Sequence, residues 1–335
     1  MSERRAGTRV GGVSGGPTPM RRVLDRVVWG LSGLFLIAIV VGLGLFVGRT
    51  LVGEEDWGLG VNPTIVVTLC AWGAYLGVAF INARHGLLLW VLTAPFARFV
   101  HLDLELGRGI PNLTLNRLMT GVLLVILLAQ LAAGRRERTS SGQPRLDAKD
   151  LLLIFFAGAL IMSVPESADS FKQSIQSVFD LVLTPVAVYF LARNLTTGTA
   201  DLRTAMRALV IIGSFLGLMA THEQLTGRVL FYPHDRAVYY TASFRRVVGL
   251  LGNPAFIAIC IGAALPWAWY FLVTSGGGPQ GRWSRLLYLF AAAAMMSGIY
   301  FCMNRSGWVG AAVALTVMAL FVKRFRRVFL MMLLV

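Results

Sequence analysis

Charge is what this sequence is shortest of. Lys, Arg, Asp and Glu supply 14% of its 335 residues while apolar types supply 56%. With a mean hydropathy of +0.69, the chain is far more apolar than a water-soluble globule needs to be, so lipid is the expected solvent. Acidic residues are scarcer than basic ones, 16 against 31, which leaves a formal charge of +15. Cysteine is nearly missing. Cys70, Cys260 and Cys302 each sit in or beside an apolar run without a Cys-x-x-Cys spacing, which excludes a cysteine metal site and reads as small apolar packing residues. Phosphate-loop, His-Glu-x-x-His and Gly-x-Ser-x-Gly patterns are absent too, so nucleophilic and zinc-hydrolase chemistry have no support and neither metal nor cofactor is expected. The four histidines, His85, His101, His222 and His234, are scattered and read as solvated or interfacial residues.

Long apolar runs are present instead. A helix crosses the hydrocarbon core in roughly 20 residues, and runs near that length recur at 27–47, 61–81, 86–100, 116–133, 151–165, 179–192, 205–221, 254–274, 286–303 and 308–322. The expected fold is an all-α polytopic transmembrane helix bundle of about ten or eleven spans. Residues 1–20, rich in Gly, Ser, Thr and Pro with scattered Arg, form an expected disordered cytoplasmic tail, and 21–335 the transmembrane domain. Only eight apolar residues, Val328 to Val335, follow Arg327. They are expected to open an eleventh span that the chain does not complete.

The basic residues set an orientation. With the tail inside, the connections holding Arg84, then Arg135 to Lys149, Arg193 to Arg207, Arg282 with Arg285, and Lys323 to Arg327 all fall inside, as cytoplasmic loops do. That alternation argues for membrane insertion and against a nucleic-acid partner. One outer loop departs from the rule. Residues His222 to Asn253 carry Arg228, Arg236, Arg245 and Arg246, and an anionic ligand outside is the simplest reason to keep four arginines there.

Two stretches sharpen that reading. Arg245 and Arg246 lead through a glycine-containing segment to Asn253-Pro254 at the head of an apolar run. Asn caps free amides and Pro suits the first helical turn, so this is a helix start that faces outward, and its positive dipole end near two guanidinium groups suits a phosphate. The second stretch, Asn304-Arg305-Ser306-Gly307-Trp308, is squeezed between two apolar runs. It places Arg305 near the membrane boundary, where an arginine usually has a partner. An alternative stays open for both: a plain helix cap, arginines snorkelling to headgroups, and Trp308 as an interfacial anchor.

Together with His222-Glu223-Gln224-Leu225-Thr226-Gly227-Arg228, these stretches resemble, in order, the bacterial O-antigen ligase and polymerase family. The matching pieces are Arg246-x-x-Gly249-x-x-x-Asn253-Pro254 and Asn304-Arg305-Ser306-Gly307-Trp308, the latter with Asn304 where the family usually has Ser. The resemblance covers roughly residues 60–335. It implies a fold like the membrane C-type glycosyltransferases, an inner-membrane location with a periplasmic active face, and a donor saccharide on undecaprenyl diphosphate. It also implies an acceptor that is a glycan, a lipid or a protein, and no required metal. Membrane lipids are the remaining partner.

On this resemblance Arg246 and Arg305 are the candidate catalytic residues, stabilising the departing diphosphate while an acceptor hydroxyl attacks the anomeric carbon. Arg228, Arg236, Arg245 and Asn253 are the candidate substrate-binding residues, and Tyr232, Tyr239, Tyr240 and Phe244 are aromatic faces for sugar or an interfacial belt. The family's catalytic His lies on a large periplasmic loop, expected beyond Val335. A transporter or flippase of the same lipid-linked saccharide is the alternative. It would place ionisable residues inside several spans, which here look almost free of charge, with Arg98 the exception. A structural membrane subunit, with incidental arginines, is the third reading.

Overall fold

The computed structural model describes residues 19–52, 63–99, 114–133, 147–167, 171–196, 198–228, 239–241, 244–245, 247, 249–275, 279–323, 325–327 and 329. Apart from one short ladder, what it describes is helical. In chain order the helices are α1 (Pro19–Val52), α2 (Pro63–Ile81), α3 (Ala83–Thr93) with a 3₁₀ extension (Ala94–Phe99), α4 (Leu115–Ala132), α5 (Ala148–Ser167), α6 (Phe171–Val178) and α7 (Thr184–Leu195). They continue with α8 (Thr199–Thr226), α9 (Pro254–Thr274), α10 (Pro279–Phe301) and α11 (Arg305–Phe321). Two strands, β1 (Tyr239–Thr241) and β2 (Phe244–Arg245), pair antiparallel in the long loop before α9. The expected tail falls outside the described residues as far as 18, whereas Pro19 and Met20 already belong to α1, because proline's fixed φ suits a first turn.

Local chemistry explains several boundaries. Asn82, in extended conformation, separates α2 from α3 and accepts the His85 amide on its side chain at 3.4 Å. Thr114 does the same for Arg117 at the start of α4. At α8 the Asp201 carboxylate reaches back to the amide of Gly198 at 3.2 Å, and Gly227 ends the helix at φ 72, a left-handed turn that glycine adopts without a Cβ penalty. Between α6 and α7 the helix does not stop but widens into a π turn over Phe179–Leu183, where the Thr184 amide bonds back to Phe179. Pro185 explains the widening: it has no N–H for the Leu181 carbonyl, and its ring needs room against the preceding turn.

Buried side chains form two clusters. The first joins α1–α4 with α7 around Tyr75, Phe35, Met119 and Leu123, all essentially solvent-free. Phe35 and Tyr75 pack with ring centroids 5.6 Å apart, and the Tyr75 hydroxyl donates to the Met119 carbonyl at 3.3 Å. The second cluster joins α8–α11 around Leu216, Ile257, Ile261, Leu265 and Met295. Helices α3 and α8 link the two. Arg84 pairs with Asp201 at 2.5 Å, and Phe96 meets Phe215 at 5.2 Å. The nearly constant offset between those pairs, 117 and 119 residues, shows that α3 and α8 run parallel.

Basic residues gather at one end of the bundle. Besides Arg84, Arg193 pairs with Asp147 at 3.1 Å and with Asp150, Arg207 lies over the Phe271 ring, and Arg285 donates to the Ser275 carbonyl. Asp150, in the first turn of α5, is shut off from solvent by these partners and by the Tyr189 hydroxyl at 2.9 Å. Its carboxyl is held below the usual carboxylate range, first by the hydrogen bond from Arg193 and then by the Asp147 amide. This anchor matters because the rest of α5 touches little: Leu152, Phe155 and Met162 are each at least 70% exposed, an apolar surface suited to lipid.

Among the described residues, five helical stretches are long and apolar enough to cross a membrane: Val23–Gly42, Ser174–Leu195, Thr199–Thr226, Pro254–Thr274 and Gly281–Phe301. Leu69–Ile81, Asn116–Ala132 and Arg305–Phe321 are shorter apolar helices. The length and composition of these helices are those of a helical membrane bundle. Two expectations change. The run expected at 179–192 begins at Ser174, since the π turn carries the helix through Asp180. The spans are also less free of charge than they look, because Asp180 lies within that stretch and Arg117 within Asn116–Ala132, joined in a two-pronged ion pair with both contacts at 2.8 Å. Pairing removes the cost of placing either charge alone at membrane depth. Of the three cysteines, Cys302 is packed as expected, whereas Cys70 and Cys260 lie on exposed helix faces, where a small apolar thiol meets lipid without needing a partner.

Candidate functional site

The three sequence stretches that carried the functional reading meet at the end of the bundle opposite the basic cluster. Helix α8 arrives there with Glu223, 4% exposed at its last turn. The Glu223 carboxylate accepts the Gly249 amide at 2.7 Å, across 26 residues of sequence. Gly249 (φ 54) and Gly252 (φ 68) both take left-handed conformations and fold residues 249–252 into a turn. Val247 and Leu250, on either side of Gly249, are fully buried in the second cluster. This segment is a plug set into the helix ends, with its backbone tied to α8.

Directly after the turn, Asn253 caps α9 by accepting the Ala255 amide at 2.8 Å, with Pro254 in the first turn. At α11, Asn304 caps with its side-chain oxygen accepting the amides of Ser306 at 2.9 Å and Gly307 at 3.3 Å and the Ser306 hydroxyl at 2.5 Å. Asn304, where the resembled family has Ser, thus performs the capping role in full. The three-residue link from α10 to α11 is tight enough to force Met303 to φ 49, a conformation that costs a non-glycine residue about 1–2 kcal/mol. Trp308 helps to hold it, donating its indole N–H to the Ile299 carbonyl at 3.0 Å and stacking on Tyr300. Trp308 therefore clamps α11 to α10 as well as facing outward.

Helices α9 and α11 start side by side. A Cβ on Gly307 would lie 2.3 Å from the Ala258 Cβ, and one on Gly262 would lie 3.9 Å from that of Ala311, so both contacts share an offset of 49 residues. The helices are parallel, and Asn304 sits level with residue 255, about 3 Å along the axis from Asn253. Two positive dipole ends thus open on one face, with exposed Arg305 at the first position of α11. The capping side chains already occupy the amides of Ala255, Ser306 and Gly307. What this mouth offers an anion is the summed helix dipoles and a guanidinium more than a cage of open amides.

Of the expected site residues, Asn253 and Arg305 are brought to one level, and Arg228 is exposed immediately after the Gly227 stop of α8. Arg245 belongs to β2, where its backbone pairs with Tyr239; its side chain, together with Arg236, Arg246 and Tyr232, lies outside the described residues. His222 is exposed, and His85 is half-buried at the opposite end with its ring edge-on to Trp29. Among the described residues no three His, Cys, Asp or Glu side chains gather as metal ligands would.

Sequence reasoning missed Glu223 as a residue with a role of its own. The signal was available: it is an acid four residues before a helix-stopping glycine at the end of an apolar run, where an unpaired carboxylate would be costly. The Arg117 and Asp180 pair was missed as well, since 63 residues separate its members and no local pattern joins them.

Fold and site together define a class, a helical membrane bundle with a capped, dipole-lined mouth at one end. No family model, curated protein or solved structure matches the chain.

Proposed function

We propose that the protein is a membrane glycosyltransferase of the O-antigen ligase or polymerase kind, acting on saccharides linked to undecaprenyl diphosphate at the periplasmic face of a bacterial inner membrane. The observation that carries this reading is the mouth itself: α9 and α11 begin at one level with Arg305 exposed at the head of α11, and Val247 with the 249–252 turn is packed beside them. A diphosphate leaving group develops charge as the anomeric bond breaks, and fixed dipoles with guanidinium groups stabilise that charge without reorganising. Arg246 and Arg305 take this role, Arg228, Arg236, Arg245 and Asn253 hold the headgroup, and the acceptor is a glycan, lipid or protein hydroxyl.

The transporter reading gains one observation, the Arg117 and Asp180 pair beside a π turn inside a span, because broken helices and paired charges at membrane depth line translocation paths. A single pair, made by Arg117 in the first turn of α4, is better explained as a lock between α4 and the α6–α7 helix.

Chromosomal Arg246→Ala and Arg305→Ala should each cut glycan transfer by about tenfold to several thousandfold with membrane levels unchanged, the effect of losing one or two charge-assisted bonds from the transition state. Lys replacements should recover little, since an ammonium lacks the bidentate fork. Near-normal transfer by both Lys variants would reduce the two arginines to membrane anchors. Location is decided separately: a reporter fused after Arg138 should read cytoplasm and one within 227–242 periplasm, and a cytoplasmic signal from the second removes the proposal.

A further inference from the structure

We propose that Glu223 is a positioning residue for this mouth: its buried carboxylate fixes the 249–252 turn against the end of α8 and so sets where the Asn253 cap opens α9. The inference rests on the diphosphate reading above and adds to it a residue outside the arginine set. Four observations support it. Glu223 is a nearly solvent-free acid at the end of a long apolar helix, a placement that persists only where partners offset the desolvation. The partner seen is a backbone amide in the turn, at 2.7 Å.

That amide belongs to Gly249, whose positive φ and contact with Ile257, 2.3 Å from where a Cβ would be, leave the turn a single arrangement. The turn spans 249–252 and leads directly into the Asn253 cap of α9. An apolar side chain in place of Glu223 would leave the Gly249 amide buried without its acceptor, and the turn would be free to rotate away.

The test uses the full chain in lipid nanodiscs, with farnesyl diphosphate as probe and farnesol as neutral control. Wild type should prefer the diphosphate. Glu223→Met, which keeps the side-chain length and removes the acceptor, should raise hydrogen exchange over peptide 247–253 and weaken farnesyl diphosphate binding, each by about tenfold, while farnesol binding stays put. Glu223→Asp should recover part of the loss. Gly249→Ala disturbs the same turn from the opposite side, through Ile257, and should produce the same selective loss, which guards against a fault peculiar to one variant. If wild type prefers the diphosphate and Glu223→Met prefers it equally, the positioning role is overturned and the functional reading survives. If wild type binds farnesol and farnesyl diphosphate alike, the functional reading falls and takes this inference with it. Unchanged exchange over 247–253 in Glu223→Met overturns the inference whatever the binding result.

Discussion

The two halves of the bundle are packed by different means. In α8–α11 the helices touch backbone to backbone. A Cβ on Gly217 would lie 2.2 Å from the Ala294 carbonyl oxygen, one on Gly298 2.6 Å from the Gly217 Cα, and one on Gly213 2.5 Å from the Ala264 Cβ. Thr221 and Ser297 add a hydroxyl pair across the α8–α10 seam at 2.7 Å. In α1–α7 most glycines meet nothing: Gly30, Gly33, Gly73, Gly121 and Gly158 have no atom within 4 Å of where a Cβ would be. There the contacts are made by large side chains such as Tyr75 and Phe35 and by ion pairs. Between helices in lipid there is no water to expel, so close van der Waals approach is the main attraction. The half that carries the mouth is the half with the closest approach, as a site built from two helix ends requires, because their levels must not slip.

Breaking that contrast gives the largest effect. Gly217→Leu should prevent α8 and α10 from closing and leave little folded protein, a cost above about 3 kcal/mol for overpacking against rigid backbone, read by unfolding in mixed micelles. A variant within 1 kcal/mol of wild type would show that the seam is softer than the geometry implies.

Tyr75→Ala probes the other half by opening a cavity. Loss of about 3–5 kcal/mol is expected for so large a buried side chain, with the mouth left intact, so farnesyl diphosphate binding by the surviving folded fraction should match wild type. Parallel loss of binding would mean the halves are one cooperative unit.

The link between them is weaker. Arg84→Ala, or Asp201→Ala, should cost no more than about 1 kcal/mol, since Arg84 is 40% exposed and solvent screens the pair. A double-mutant cycle gives its coupling, and a value near zero would leave Phe96 and Phe215 as the principal contact across the seam.

The smallest effect carries the opposite sign. Gly121→Ala, in the open half, should stabilise by about 0.5 kcal/mol, because alanine restricts the unfolded chain and meets no atom in the folded one. Destabilisation by this change would mean that the α4 face has an occupant, lipid or protein, at close range.

Much of the candidate site was legible from residue order. Asn253-Pro254 and Asn304 announce helix starts because capping is a local interaction, satisfied within three residues. Gly227 announces a stop for the same reason. What stayed hidden were contacts between distant segments: Glu223 to Gly249 and Arg117 to Asp180. The π turn was hidden for a subtler reason, since Pro185 in an apolar run signals an interruption, and only packing against α4 and α5 decides that the helix widens instead of ending.

Sequence by itself determined that this chain contains apolar helices long enough to cross a membrane, and where two of the helices begin with an asparagine cap. Each of these follows from hydropathy or from bonds within one turn. Tertiary structure decided that α9 and α11 start level with one another, that α3 and α8 join two separately packed halves, and that a single buried carboxylate ties the loop before α9 to the end of α8. Those outcomes depend on which small residues face each other across helices 49 to 81 residues apart, and on burial, which no local pattern encodes.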